Sequence, residues 1–387
     1  MAQPGTSLND IIGTLASVGE VWEQRLATGW APPPGSAFPW TQVRLSLAAL
    51  IPGLRSAGVG LSSAAGGRKE RTAALIPAGN TPLMSWAPLC ACLLAGFSVR
   101  VKMSRDETLW PRLFVESLAE VAPAVAARIA LHVWPGDDPR TAELVRSADA
   151  VIAYGSDATI ERLRTVTPAR VPFFGFGHSV SVGIATANGE TMAGDFASDV
   201  LLYDQGGCLS LQSVICEGGT AGVAARLTES LKKGADRWDV PPRTDPAVAA
   251  AVRNARDMAL FAGARVYGDH ELRWTVIEYP GTVPLPPPTG YGVVHLIPVA
   301  DLRTETTAVL RPLRGALSCV GVAGELAAEE RKAVEWSGVS RICRAGTMQT
   351  PPLDWPNGNI DLRAALCALG ESEVGGGDMF GAEQRFP

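Results

Sequence analysis

Between residues 71 and 177, short apolar runs alternate with stretches of helical period. RTAALIP (71–77) reads as a strand and AGN (78–80) as a turn. TPLMSWAPLCACLLA (81–95) reads as a helix, with Asn80 or Thr81 as N-cap, Pro82 in its first turn and Gly96 just past its end. FSVRVKM (97–103) alternates apolar and polar positions as a strand does. A helix near 107–122, a strand at 127–134, a helix at 139–148, a strand at 150–155, a helix at 156–166 and a strand at 171–177 continue the order. Strands alternating with amphipathic helices predict an α/β fold, a parallel sheet with helices on its faces. Such sheets bind ligands outside the carboxyl ends of their strands. Three strand ends are therefore candidate positions: Asn80, Lys102 with Ser104, and Gly155 with Ser156.

After residue 180 the pattern changes. A helix over 191–203 leads to a strand at 212–217, and Ala-rich helices follow at 220–233 and 246–262. Strands at 272–279 and 292–299 flank the Pro-rich loop GTVPLPPPTGYG (281–292), and a last strand and helix occupy 317–324 and 325–338. Two α/β domains are expected, 1–180 with its N-terminal segment and 181–345, followed by a Pro- and Trp-rich C-terminal segment, 346–387. The last residues, GGGDMFGAEQRFP (375–387), read as mobile. Residues 1–45 carry little periodic signal beyond one helix near Leu8–Ala27.

Composition narrows the function classes. With 47% apolar and 19% charged residues, a chain of 387 residues belongs with compact folded proteins. A net charge of −5 lacks the basic footprint of a nucleic-acid binder. Seven irregularly spaced cysteines, together with an N-terminus (MAQPGTSLNDIIG) lacking a basic and apolar leader, point to reduced thiols in the cytoplasm. The longest uncharged apolar run, 87–99, is too short to span a bilayer. Cys90 and Cys92 have no second ligand pair nearby, and the four histidines show no ligand spacing, so no metal site is expected.

One polar break stands out, DQGGCLS (204–210). Glycine lacks the Cβ that would keep another group away, so Gly206 and Gly207 allow close approach to Cys208. Taken alone, Cys208 reads equally as a buried cysteine after a flexible turn. Asn80 alone reads as an N-cap, Lys102 as a solvated strand end, and His178 as a hydrogen-bonded structural residue. Gly155-Ser156 opens a helix whose free N–H groups suit a phosphate, as would many such turns. No strand ends in G-x-G-x-x-G, and GVGLSS (58–63) is only a near miss.

The order of these residues carries more than any one of them. An asparagine opening a helix, a K-x-S strand end, a G-S turn and then a cysteine, here Asn80, Lys102/Ser104, Gly155/Ser156 and Cys208, resemble the aldehyde dehydrogenase superfamily. Within it the wording is similar to the LuxC-like acyl-CoA reductases. GNTPLMS (79–85), HVWPGDDP (132–139), DAVIAYGSDATIERLR (149–164), GHSVSV (177–182), DQGGCLS (204–210) and TMQTPPLDWPNG (347–358) stand in that family's order. The likeness covers about residues 70–360, while the first 45–70 residues look shorter and different from the family's usual N-terminus.

The resemblance implies an aldehyde-dehydrogenase-like fold, with a Rossmann-type nucleotide-binding sheet in the first domain and the cysteine nucleophile in the second. It implies reduction of an acyl-CoA or acyl-carrier thioester to an aldehyde through an acyl-cysteine on Cys208, with Asn80 and the Cys208 N–H holding the oxyanion. Hydrolytic aldehyde dehydrogenases carry a glutamate before the cysteine, where this chain reads GFGHSVSVG (175–183) with no carboxylate. His178 is then the candidate proton donor. Arg105 stands where NAD-preferring relatives have a glutamate, so NADPH is the expected cofactor, held by Lys102, Ser104, Arg105, Gly155 and Ser156. A homo-oligomer and an acyl-activating partner enzyme are further implications. A cysteine acyltransferase or thioesterase without redox cofactor, and a hydrolytic aldehyde dehydrogenase, are the competing readings.

Overall fold

The structure, a computed structural model, describes residues 7–57 and 70–369, so both GVGLSS (58–63) and the tail 375–387 lie outside the described residues. Strands β1 (Arg71–Ile76), β2 (Phe97–Met103), β3 (Ile129–Val133), β4 (Ala150–Tyr154) and β5 (Phe173–Phe176) form a wholly parallel sheet in the order β3-β2-β1-β4-β5. Alternate side chains leave a strand on opposite faces. Leu75, Val101 and Ile152 accordingly enter one apolar core, and Ala74, Ile76, Val151 and Ala153 enter another. The helices between the strands are α3 (Trp86–Leu94), α4 (Leu109–Val121), α5 (Pro123–Ala126), α6 (Arg140–Arg146) and α7 (Asp157–Val166). From β1 the chain crosses to β2 on one side, while β4 pairs on the other. The crevice beyond the carboxyl ends of β1 and β4 is thus the topological switch point, where doubly wound sheets bind ligands.

Before β1 come α1 (Leu8–Ala27), opened by a capping box between Ser7 and Asp10, and α2 (Trp40–Arg55). Indole rings bind this pair to the first sheet's helices: Trp22 tilts against Trp86 at 5.4 Å, and Trp40 stacks on Trp110 at 5.9 Å. Helix α2 was not expected from sequence, although Val43, Leu47, Leu50, Ile51 and Leu54 repeat at helical spacing and are all buried. The neighbouring Pro- and Gly-rich stretch and Pro52 in its last turn hid that signal.

A second sheet holds seven strands in the order β12-β11-β6-β7-β10-β9-β8. They are β6 (Val180–Ala185), β7 (Leu211–Glu217), β8 (Arg265–Gly268), β9 (Thr275–Glu278), β10 (Val293–Val299), β11 (Leu317–Ala323) and β12 (Arg341–Arg344). All are parallel except β8, which runs antiparallel to β9. Helices α8 (Phe196–Leu201), α9 (Ala221–Arg237), α10 (Pro246–Phe261), α11 (Leu302–Leu310) and α12 (Ala328–Glu335) accompany it. The last helix, α13 (Leu362–Ala368), returns to the first sheet and packs on α3. Sequence periodicity did not separate β6, β8, β12, α11 or α13. In particular no strand is expected next to the one at 171–177, yet the chain leaves one sheet and joins the other as β6 directly after Gly177-His178-Ser179.

Two expected helices are shorter than their pattern. Residues 82–85 form a turn, so α3 begins at Trp86 with Ser85 at its N-cap position. The reading of Asn80 or Thr81 as its N-cap is therefore corrected. The expected helix over 191–203 splits into a 3₁₀ turn (Glu190–Asp195), α8 and a left-handed turn. Among the described residues no helix is long and apolar enough to cross a membrane.

Candidate active site

The loop after β1 touches the loop that leads into the amino end of β7, and Cys208 lies in that second loop. Freed from capping α3, Asn80 reaches across the junction, and its Nδ2 donates a 2.6 Å hydrogen bond to the Gly206 carbonyl. A primary amide carries two N–H groups, so one remains for another acceptor beside the cysteine. Gly206 must be small: a Cβ there would sit 3.1 Å from the Tyr203 carbonyl and 3.3 Å from that of Asn80.

The cysteine loop is strained and heavily tied. Tyr203, Asp204 and Gln205 all have positive φ, at 57°, 54° and 56°. Side chains rarely adopt this region, which costs of order 1–3 kcal/mol per residue unless the surroundings enforce it. Here they do. Tyr203 N donates to Gln42 Oε1 (2.9 Å) and its hydroxyl donates to Ser46 Oγ (2.7 Å), both from α2. Asp204 pairs with Arg243 at 2.7 Å. Gln205, buried, donates from Nε2 to the carbonyls of Leu211 and Val293 and accepts from Gly292 N at 2.8 Å. The turn is held by residues from three distant parts of the chain.

Cys208 is itself half-buried. Burial pushes its thiol above the usual range, while the hydroxyls of Ser318 and Ser179 and its own backbone N–H pull it back by favouring the thiolate. Ser318 Oγ is buried without a hydrogen-bond partner, and its hydroxyl favours the charged form of Cys208. Ser181 Oγ donates to the Cys208 carbonyl (2.6 Å) and accepts from Cys319 N (3.1 Å), fastening the loop to β6 and β11. The rival thiol, Cys216, lies inside β7 and is fully buried, with its pKa driven upward by desolvation, as befits an inert thiol.

The C-terminal segment completes the wall. Buried Asp199 of α8 accepts from Gly346 N (2.6 Å) and Met348 N (2.9 Å), and Arg341 donates to the Met348 carbonyl. Gln349, thus placed, donates from Nε2 to Ser210 Oγ at 2.7 Å. Beside Cys208 and Gln349 opens a mainly apolar cavity of about 190 Å³.

On the first sheet's side, Gly79 passes so close to Ser104 that a Cβ would fall 2.5 Å from Ser104 Oγ. Lys102 is half-buried, and desolvation first, then Arg105 and Arg162, lower its pKa. Three cations converging at a strand end make a field that seeks an anion. Ser156 caps α7, its Oγ accepting from Thr159 N at 3.3 Å. Arg105 is exposed next to Ser104. Asp157 Oδ1 accepts from His178 N at 2.7 Å, which sets the crossing between sheets and leaves the His178 side chain exposed, one residue before Ser179.

The residues singled out from sequence therefore gather on two sides of one crevice. Lys102, Ser104, Arg105, Gly155 and Ser156 lie at strand ends of the first sheet, Asn80 bonds the cysteine loop at Gly206, and His178 stands where the chain passes between sheets. Gln42, Ser46, Ser181, Gln205, Ser318 and Gln349 were missed. These are ordinary polar residues whose relation to Cys208 exists only after folding. Ser181, Gln205 and Gln349 had a usable signal, since they lie inside GHSVSV, DQGGCLS and TMQTPPLDWPNG.

Solved structures with this arrangement are aldehyde dehydrogenases. A Pseudomonas aeruginosa aldehyde dehydrogenase superimposes with a TM-score of 0.65 at 14% identity, covering 88% of this chain and 76% of that one. An NADP-dependent glyceraldehyde-3-phosphate dehydrogenase from Bacillus halodurans, complexed with NADP, gives 0.65 at 17% identity over 89% and 79% of the two chains. The fold is aldehyde-dehydrogenase-like. More narrowly, the family model described as acyl-CoA reductase (LuxC) matches residues 72–357, and the chain belongs to that family. Long-chain acyl-protein thioester reductases are among its relatives. The one from Photorhabdus luminescens is 27% identical over 286 residues, 69% of this chain and 58% of its own length. The one from Aliivibrio fischeri is 26% identical over 217 residues, 52% of this chain and 44% of its own length. The matched stretch thus spans about half of those relatives.

Proposed function

We propose that this protein reduces an acyl thioester, on CoA or a carrier protein, to an aldehyde, with Cys208 as nucleophile and NADPH as reductant. The observation that carries the reading is the Asn80 amide bonded to the cysteine loop at Gly206, two residues before Cys208, with hydroxyls rather than carboxylates acting on the sulfur. The cofactor side fits a dinucleotide: the close Gly79–Ser104 approach and the Lys102, Arg105 and Arg162 charges suit an anionic ligand laid over the sheet edge.

In this reading Ser318 and Ser179 stabilise the Cys208 thiolate, which attacks the thioester carbonyl. The spare Asn80 N–H and the Cys208 N–H bind the oxyanion, an effect worth roughly 10²–10³ in rate per donor. Collapse expels the CoA or carrier thiol and leaves an acyl-cysteine. A reduced nicotinamide bound at the sheet edge supplies the hydride for the second half-reaction. His178 donates a proton to the thiohemiacetal oxygen and takes it back as the C=O bond reforms, the C–S bond breaks, and the Cys208 thiolate leaves with release of aldehyde. With no carboxylate in 175–183, nothing there activates water, so the acyl-cysteine survives until reduction.

Mixing the protein with a panel of acyl-CoA thioesters and no nicotinamide should place one acyl group on Cys208 by mass spectrometry, and adding NADPH should release aldehyde as the cofactor is oxidised. Cys208→Ala should lose both signals. Fast release of free acid in plain buffer would instead identify a thioesterase or a hydrolytic dehydrogenase.

A further inference from the structure

The cavity beside Cys208 is bounded by parts of the chain that take no part in the chemistry above. One wall is the turn before α3 and the α3 face carrying Ala87 and Ala91, one helical turn apart. Leu50 of α2 forms another, and the segment 350–363 closes the cavity. That segment turns at 353–354 and again at Asn357–Asn359 before α13 opens, and over 351–356 its exposure alternates: Pro351, Leu353 and Trp355 are half-buried, while Pro352, Asp354 and Pro356 are exposed. It is also pinned: Leu353 lies where a Cβ on Gly53 of α2 would come within 2.7 Å, and Trp355 Nε1 donates to the Ser340 carbonyl at 3.2 Å. Tyr154 and Phe176, stacked at 4.6 Å, contribute an aromatic surface. Asp354, Asp361 and Arg363 are the charged residues of the lining, and all three come from the C-terminal segment, here called the rim.

Resting on the thioester-reductase reading, we propose that this cavity is the acyl-chain site and that it measures the chain at about eight carbons, with α2, Ala91 of α3 and the 350–363 segment as the ruler. Size sets the limit. A dry cavity of roughly 150 Å³ takes a six-carbon ring, so 190 Å³ accommodates about eight carbons. A longer chain must push its end among the charged groups of the rim, where each further methylene gains nothing from leaving water. The relatives are named for long-chain substrates; the cavity of this chain predicts a medium-chain preference instead.

Two ladders test this separately from the chemistry. First, unbranched 1-alkanols of four to fourteen carbons are titrated into the Cys208→Ala protein by calorimetry. Affinity should rise about fourfold per methylene, as burial of each CH₂ implies, and level off near eight carbons. Second, acyl-CoA thioesters of the same lengths are followed by single-turnover acylation of Cys208, and the efficiency should level off at the same length. Ala91→Leu should shorten both limits by about three carbons, and Leu362→Ala, which removes bulk from the α13 wall, should lengthen both by two or three. Acylation with no break between four and fourteen carbons, or a break that neither variant moves, would overturn the ruler. An alkanol break near eight carbons without any Cys208 adduct would uphold the alkyl-chain site while overturning the reductase reading.

Discussion

The two sides of the crevice are built in opposite ways. On the first sheet's edge, each group comes from a short loop that directly continues a strand: Asn80 after β1, Lys102 and Ser104 at the end of β2, Gly155 and Ser156 after β4. Backbone topology alone brings them together. Around Cys208 nothing is local. Three left-handed residues are held by α2, by Arg243 and by the loop before β10, and the sulfur is flanked by hydroxyls from β11 and from the residue before β6. The contrast teaches that the nucleotide-like edge tolerates change in its surroundings, whereas the cysteine depends on tertiary contacts far from it in sequence.

If that contrast is right, substitutions on the two sides differ in kind. The largest effect is expected where the sides touch. Asn80→Ala should lower kcat/KM for thioester reduction by about 10²–10³-fold through loss of an oxyanion donor, with cofactor affinity nearly unchanged. A loss in cofactor affinity equal to the loss in kcat/KM would assign Asn80 to the nucleotide side.

Gln205→Ala removes three buried hydrogen bonds from a turn that needs them. Unfolding in urea should show a loss of about 2–4 kcal/mol, together with slower acylation of Cys208. An unchanged midpoint with normal acylation would mean that the turn holds itself.

On the cofactor side, Arg105→Glu should cut the preference for NADPH over NADH at least about tenfold, or roughly 1.4 kcal/mol, with no loss of stability because Arg105 is exposed. If the ratio of the two kcat/KM values holds, the preference resides elsewhere on the sheet edge.

The smallest effect concerns the thiol itself. The Cys208 pKa lies above the ordinary thiol value, and the Ser318 hydroxyl favours the charged form. Ser318→Ala should therefore raise it further. Since the thiolate exists above the pKa, the pH profile of Cys208 alkylation should move to the alkaline side and reactivity at neutral pH should fall a few-fold. A profile that stays in place would remove Ser318 from the account.

How much of this was legible beforehand follows the same division. Residues 71–177 alternate strand and helix with periods that a short window resolves, and each carboxyl end announces its own loop, so the edge residues could be numbered from sequence. Cys208 was visible because glycines on its N-terminal side broke an apolar pattern. Asn80 was placed correctly at the strand end and wrongly as a helix cap, because the turn at 82–85 looks helical in composition. Helix α2 was unread, and most of 350–363 reads only as part of a Pro- and Trp-rich segment and a family motif, with no structure assigned. Trp40 of α2 packs against α4 and Trp355 lines the cavity, and periodicity does not register packing against distant elements.

By itself, then, the sequence determined the α/β class, the succession of the first sheet and the identity of the residues at its carboxyl edge, because hydrophobic period and turn chemistry are local properties of the chain. Only the tertiary structure decided that β5 and β6 belong to different sheets, that Asn80 turns its amide to Gly206, and that Ser181, Ser318 and Gln349 converge on the cysteine loop. Those arrangements depend on hydrogen bonds and cavity walls between residues up to 139 positions apart, and such contacts acquire their free energy only when the intervening chain has already folded.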